Sequence, residues 1–539
     1  MLKRAIAILC LLLPPATAYA VHIPKPRIPH KDKTNSVRVQ TDKGEVEGAY
    51  TADQQVIAFK GIPYAAAPVG DLRWKPPQPA AKWKHILPAK DFGNHCIQSF
   101  SYPDMVFHDP GASEDCLTLN VWAPAKAVRG SLPVMVWIYG GGFTAGGTSE
   151  SRQDGQFLAH RDVIVVSMNY RLGIFGFFVH PELTAESPNH ASGNYGLLDQ
   201  LAALKWVNTN IARFGGDPSN VTIFGESAGS SSVSALMASP TARGLFTKAI
   251  GESGSAFYSS SPTFEPREKL EQRNLAFVKT AYNTSSLADL RKLSADTILA
   301  AATAKTIPPP PRFGPDIDGY FLPDFVSNIY AAGHQAHIPL LAGWNADEVR
   351  GQILLAKTPT TIETLKNTAQ TQFGPKADDF LVLYPASTDA EAVISAGDFA
   401  SDQFIAFSTW RWLEAQVATG QSPVYRYRLE LGSPGDDNHR AILGAFHSDD
   451  IEYVFGTLDS RPGAKWRPED RALSEQIGSY WTNFARSGNP NSTGLPTWPT
   501  YNEKGGWQVM HLDSTSQAKP DIQRARYLFL NTIWGKPAN

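Results

Sequence analysis

Residues 221–232 read VTIFGESAGSSS, and Ser227 stands there between Gly225 and Gly229, directly after a β-branched and aromatic run. Glycines on both sides of a serine let the chain bend sharply from strand to helix and present the hydroxyl on the turn. The pattern alone also arises by chance at ordinary glycine and serine usage, so its surroundings must decide. A serine hydroxyl is a weak nucleophile; it needs a base within hydrogen-bond reach and an acid that orients the base. Candidate acids are Asp347 and Glu348 in WNADEVRG (344–351), which residue type and position do not separate. Candidate bases are His439 and His447 in GDDNHRAILGAFHSDDIEYVFG (435–456). His447 is favoured, because it follows Phe446 and precedes an apolar run, whereas His439 sits in a polar turn. A charge developing on a carbonyl oxygen also needs amide donors. WIYGGGFTAGG (137–147) supplies Gly140, Gly141 and Gly142 at the end of an apolar run, with no side chains to crowd their amides. No Gly-Lys-Ser/Thr follows, as a phosphate loop would require, and neither a helical His-x-x-x-His pair nor a cysteine cluster offers a metal site.

These groups need a frame. PVMVWIYG (133–140), VIVVSMNY (163–170) and VTIF (221–224) are near-continuous apolar runs, as expected of strands covered on both faces. Leu197, Leu201, Leu204, Val207, Ile211 and Phe214 recur at helical spacing between the second and third runs. IPLLAG (338–343) and VYRYRLE (424–430) read as later strands, each preceding one group of candidates. A helix is expected over 469–486, with Leu473, Ile477, Trp481 and Phe484 on one face. VRVQTDKGEVEGAY (37–50) reads as two strands around a turn at 42–44. Such alternation predicts an α/β fold with a large, mostly parallel central sheet and helices on both faces. The proline-laden stretch 306–323 reads as a packed surface loop.

With 539 residues and a net charge of −2, the chain has material for a large core and no electrostatic case for a nucleic-acid or anionic-membrane partner. Residues 1–20, with Lys3, Arg4, an apolar run from Ala5 to Leu13 and Ala18-Tyr19-Ala20, read as a secretory signal peptide of bacterial proportions. Its apolar run is too short to span a bilayer, and no membrane insertion is expected after cleavage. Residues 21–36 read as a flexible leader and 37–539 as a single domain. Removal of Cys10 with the signal leaves Cys96 and Cys116, whose spacing in an exported protein predicts one disulfide. By loop entropy it contributes roughly 3 kcal/mol.

Several long, ordered motifs resemble the type-B carboxylesterases, the α/β-hydrolase family that includes cholinesterases. They are FKGIPYAAAPVGDLRWKPP (59–77), SEDCLTLNVWAP (113–124), GNYGLLDQ (193–200), FGGDPSNVTIFGESAGS (214–230) and WTNFARSGNPN (481–491). The resemblance spans about 38–535 and implies an α/β-hydrolase fold and a serine esterase without a cofactor; the signal peptide makes it secreted or periplasmic, with cleavage expected after Ala20. It implies Ser227 as nucleophile, Glu348 as triad acid and His447 as base. Gly141, Gly142 and Ala228 match the oxyanion-hole donors, Glu226 the carboxylate beside the nucleophile, and Cys96 with Cys116 the first family disulfide. Two departures stand out: Val349 where the family usually has glycine after the acid, and no tryptophan between Cys96 and Cys116. The second argues against a quaternary-ammonium substrate. Phe143, Phe257, Tyr258, Phe313, Phe404 and Trp410 are candidate pocket aromatics. The expected partner is a small-molecule or extended ester; oligomeric state is left open. The alternatives are an amidase or peptidase and a non-catalytic binding module.

Overall fold

The computed structural model describes residues 36–99, 102, 104–257, 264–435 and 443–535. The signal and the leader up to residue 35, Tyr258 and His439 therefore lie outside the described residues, while Ser36, expected to end the leader, already opens the first strand. A thirteen-stranded mixed sheet runs through the molecule. Its principal strands are β1 (Ser36–Gln40), β2 (Glu45–Tyr50), β3 (Val56–Pro63), β4 (Thr118–Pro124), β5 (Leu132–Ile138) and β6 (Ile164–Met168). They continue as β7 (Gly216–Glu226), β8 (Lys248–Glu252), β9 (Leu340–Asn345), β10 (Val424–Leu429), β11 (Gln508–Leu512) and β12 (Gln517–Pro520). Their spatial order is β1-β2-β3-β4-β6-β5-β7-β8-β9-β10-β11-β12, with Leu87–Pro88 pairing beside β2. From β6 to β11 every neighbouring pair is parallel. The expected parallel sheet is thus the centre, flanked by antiparallel strands at both edges.

The apolar runs behave as their composition requires. Val134 to Ile138 and Ile164 to Val166 have no measurable exposure, as strands buried on both faces should. β9 begins at Leu340, after Pro339, because proline has no N–H for the ladder. The helical spacing near 200 forms α1 (Tyr195–Asn210), and Ile211–Phe214 tightens into a 3-10 turn. Next come α2 (Ala228–Ala238), α3 (Arg267–Tyr282), α4 (Asp389–Ser401), α5 (Phe407–Thr419), α6 (Asp450–Phe455) and α7 (Pro468–Ser487). Leu473, Ile477, Trp481 and Phe484 of α7 are all buried, as their spacing predicts.

α2 is buried around its whole circumference despite four serines. Ser230 Oγ donates to the Gly254 carbonyl at 2.5 Å, and Ser232 Oγ donates to that of Ala228 at 3.0 Å. Ser234 Oγ donates to the Ser231 carbonyl at 2.9 Å and accepts from the Ala256 amide at 2.7 Å. Buried hydroxyls satisfied in this way cost little, and their small size lets the helix lie close to the sheet. Cys96 and Cys116 form a disulfide with Cα atoms 5.0 Å apart. Among the described residues, no helix is long and apolar enough to cross a membrane.

Candidate active site

The carboxyl ends of five consecutive central strands, β5 and β7 to β10, carry the chemistry, where ligands bind on sheets of this kind. β7 ends at Glu226 and α2 begins at Ala228, so Ser227 is the whole of the turn. Its backbone adopts φ 55° and ψ −118°, a conformation costing a non-glycine residue about 1–3 kcal/mol. Neighbours hold it there. The Ser227 amide donates to the Glu252 carbonyl at 2.8 Å, and the Ser227 carbonyl accepts from Ser231 at 2.9 Å. A β-carbon on Gly229 would lie 1.9 Å from the Ile138 carbonyl oxygen, so only glycine permits this approach of α2 to β5.

His447 Nε2 lies 2.9 Å from Ser227 Oγ, and its Nδ1 lies 2.6 Å from Glu348 Oε2. A carboxylate at Nδ1 assigns the ring proton to that nitrogen, leaving Nε2 to accept the serine proton. Glu348 is itself fixed: its Oε1 accepts from Ser253 Oγ at 2.6 Å and from the Asn345 amide at 2.8 Å. The His447 amide also donates to the Glu348 carbonyl at 3.0 Å. Asp347, the other candidate acid, faces elsewhere. It pairs with Arg350 at 2.6 Å and accepts from the Ala445 amide at 3.0 Å, so it tethers the histidine loop.

Gly141, Gly142 and Ala228 line the same cavity as Ser227 and His447. Thr144 and Ala145 donate their amides to the Gly141 carbonyl at 3.0 and 3.1 Å, closing the loop on itself. Gly141 has φ +103°, and a β-carbon there would meet the Ala145 carbonyl oxygen at 2.1 Å. Among the described residues the amides of Gly141, Gly142 and Ala228 have no acceptor. They are available to an oxygen in the cavity.

Glu226 is buried, with Oε1 3.3 Å from His447 Nε2. Burial pushes its carboxyl up to about 8, against the pull of His447. Burial opposes charge on His447, but Glu226 and Glu348 outweigh it and push the imidazole up to about 9.

The cavity has a volume of about 920 Å³. Of the candidate aromatics, Phe143 and Phe404 line it; Phe257, Phe313 and Trp410 do not. Phe257 packs on Tyr330, Phe313 on Phe178 and Phe277, and Trp410 on Phe407 and Tyr527, all as core. Phe404 sits in a π-helical turn, Asp402–Ala406, and meets the His447 ring edge-on at 5.0 Å. The 306–323 stretch is more than a surface loop, since Arg312, Gly314 and Pro315 line the cavity. Tyr102, Asp104 and Met105, within the disulfide loop, line it as well.

Sequence reasoning missed Ser253, Asn345 and Asp450, which stand behind the triad. Asn345 Nδ2 donates to the Phe446 carbonyl at 2.8 Å and to Asp450 at 3.3 Å. A signal existed for Ser253: GESGS (251–255) spans the end of β8 as GESAG (225–229) spans the end of β7.

Residues 35–530 match the model of the Carboxylesterase family. The chain is 38% identical to para-nitrobenzyl esterase of Bacillus subtilis (strain 168), covering 91% of this chain and 98% of that protein. It is 37% identical to fumonisin B1 esterase of Sphingopyxis macrogoltabida, over 86% and 84% of the two chains. It is 34% identical to liver carboxylesterase 1 of Oryctolagus cuniculus, over 93% and 94%. A solved PNB esterase superposes with a TM-score of 0.77 at 36% identity, covering 91% of this chain and 98% of its own. The fold, the motifs and these relatives agree: this chain belongs to the carboxylesterase family and is a carboxylic ester hydrolase of the α/β-hydrolase fold.

Proposed function

We propose that hydrolysis proceeds through an acyl-enzyme on Ser227. The continuous chain Ser227–His447–Glu348, with links of 2.9 and 2.6 Å at the floor of the cavity, carries this reading. His447 Nε2 takes the hydroxyl proton as Ser227 Oγ attacks the ester carbonyl carbon. Glu348 holds the imidazole in the productive tautomer and favours its charged form. The amides of Gly141, Gly142 and Ala228 stabilise the oxyanion. The imidazolium then protonates the leaving alcohol; water enters, gives its proton to His447 and attacks the acyl carbon, and the acid departs as Ser227 is reprotonated. Labelling with a fluorophosphonate and mapping the modified peptide tests the assignment. The expected result is stoichiometric label on Ser227, prevented by Ser227→Ala. Label elsewhere, with activity retained in that variant, would overturn it. A p-nitrophenyl ester should be cleaved far faster than the matching anilide; comparable rates would instead favour an amidase.

We also propose that residues 1–20 direct export of a bacterial protein to the periplasm or beyond. Lys3 and Arg4, the short apolar run and Ala18-Tyr19-Ala20 support it, as does the formed Cys96–Cys116 bond, which oxidising compartments favour. The unbroken sheet from β1 to β12 supports reading 37–539 as one hydrolase domain. A secreted product beginning at Val21 is the expected outcome of N-terminal sequencing.

A further inference from the structure

Nearly every cationic group facing the cavity already has a carboxylate. Arg152 Nη1 lies 3.1 Å from Asp104, and its Nε lies 2.8 Å from Glu150. Arg273 Nη1 lies 2.6 Å from Glu265, and His447 stands between Glu226 and Glu348. Arg312 is the exception: it lines the cavity, yet forms no ion pair among the described residues. Among the described residues its side chain makes one hydrogen bond, from Nη2 to the Gly142 carbonyl at 3.1 Å. That occupies one of the five donors of a planar guanidinium.

Its backbone is anchored, and its side chain reaches the cavity from an exposed position. Arg273 Nη2 donates to the Arg312 carbonyl at 3.2 Å, and the next residue, Phe313, is buried against Phe178 and Phe277. Tyr102 approaches the same spot from the disulfide loop. A β-carbon on Gly142 would stand 3.3 Å from Tyr102 Oη and 3.5 Å from Arg312 Nη2. Two donors, one permanently charged, therefore flank the glycine loop that receives the ester oxygen. The remaining cavity carboxylates are engaged elsewhere: Asp104 meets Arg152, Glu265 meets Arg273, and Glu226 and Glu348 share His447. An anion entering here meets one uncommitted positive charge of the kind that grips carboxylates in a planar fork.

The geometry points to an anion subsite: the preferred esters carry a second, ionised carboxylate, held by Arg312 with help from Tyr102 beside the glycine loop. This rests on the reading of Ser227 as nucleophile and of that loop as the oxyanion site. The test uses twin substrates that differ only in a carboxylate and its neutral amide. 4-Acetoxybenzoate against 4-acetoxybenzamide places the charge on the leaving group; mono-p-nitrophenyl adipate against p-nitrophenyl adipamate places it on the acyl chain. The expected result is a kcat/KM at least about tenfold higher for the carboxylate twin in one of the two pairs, which also says which part reaches Arg312. Arg312→Gln, which keeps a donor for the Gly142 carbonyl, should bring that ratio to about one or below. Arg312→Lys should keep part of it. Because the ratio is taken within each variant, a general loss of activity cancels. Ratios at or below one for both pairs in the native enzyme, or a ratio that survives Arg312→Gln, would overturn the subsite. Failure of the native enzyme on all four substrates would instead overturn the catalytic reading beneath it.

Discussion

The two walls of the cavity are built differently. On the sheet side, Ser227, Glu348 and the glycine loop leave the ends of parallel strands within three residues, and Glu348 accepts hydrogen bonds at both oxygens. On the other wall, Glu265 stands just before α3, Arg273 lies on it, and Arg312 and Phe404 come from a proline-rich loop and the π-helical turn between α4 and α5, with Arg312 meeting the first wall at the Gly142 carbonyl. Arg312 and Phe404 are exposed there, and the polar groups are paired mostly with one another. The first wall is positioned by backbone that the sheet itself holds. The second is positioned by side-chain packing on peripheral helices. Reaction chemistry, which fails for displacements near 1 Å, sits on the rigid wall. Features that select the ester can then vary on the other wall without disturbing it.

Substitutions sharpen this contrast. Ser227→Ala should lower kcat on the order of 10⁶-fold in steady-state assays, and a modest loss would break the assignment of chemistry to the sheet side. Glu348→Gln keeps the shape but loses the charge that sets the tautomer of His447, and a fall in kcat of about 10⁴-fold is expected. Glu226→Gln should show mainly in the pH–rate profile. His447 must be unprotonated to act, so kcat/KM climbs with pH through its pKa, which two carboxylates raise from 6.5 to about 9. Removing one carboxylate should move that midpoint to lower pH, and an unmoved midpoint would show that Glu226 does not tune the base. The same shift acts on stability. A raised folded-state pKa contributes stability that is complete below 6.5 and lost as pH passes about 9, so Tm should fall across that range. Phe404→Ala, on the selective wall, should alter kcat/KM about two- to tenfold, in a direction that depends on substrate bulk. A loss as large as that of Glu348→Gln would show that the walls do not divide the work.

Legibility followed the same line. The strands β5, β6, β7, β9 and β10 and the helices α1 and α7 were readable because period and burial coincide in them: residues such as Val136 and Val165 could only be core. Ser227, His447 and the triple glycine were readable because each sits immediately beyond or beside such a run. Glu348 was not separable from Asp347 by residue type. What distinguishes them is direction, one carboxylate meeting His447 and the other Arg350, and that depends on a turn shape adjacent residues do not encode. The selective wall was opaque for a further reason. Phe257 and Trp410 look like pocket aromatics in composition, yet Tyr330 and Tyr527 claim them for the core, and those contacts join segments far apart in the chain. Of the candidate aromatics only Phe143 and Phe404 reach the cavity.

Glu226 and Glu252 face each other in register on β7 and β8, and the serine after each takes a left-handed φ, 55° at Ser227 and 51° at Ser253. Each serine amide donates to the neighbouring strand's carbonyl, Ser227 to Glu252 at 2.8 Å and Ser253 to Gly343 at 2.9 Å. The nucleophile and the prop of the triad acid thus share one datum. One inter-strand register therefore sets the spacing between the two reference points. His447 is brought to that datum from a different strand, through its amide on the Glu348 carbonyl and the Ala445 amide on Asp347.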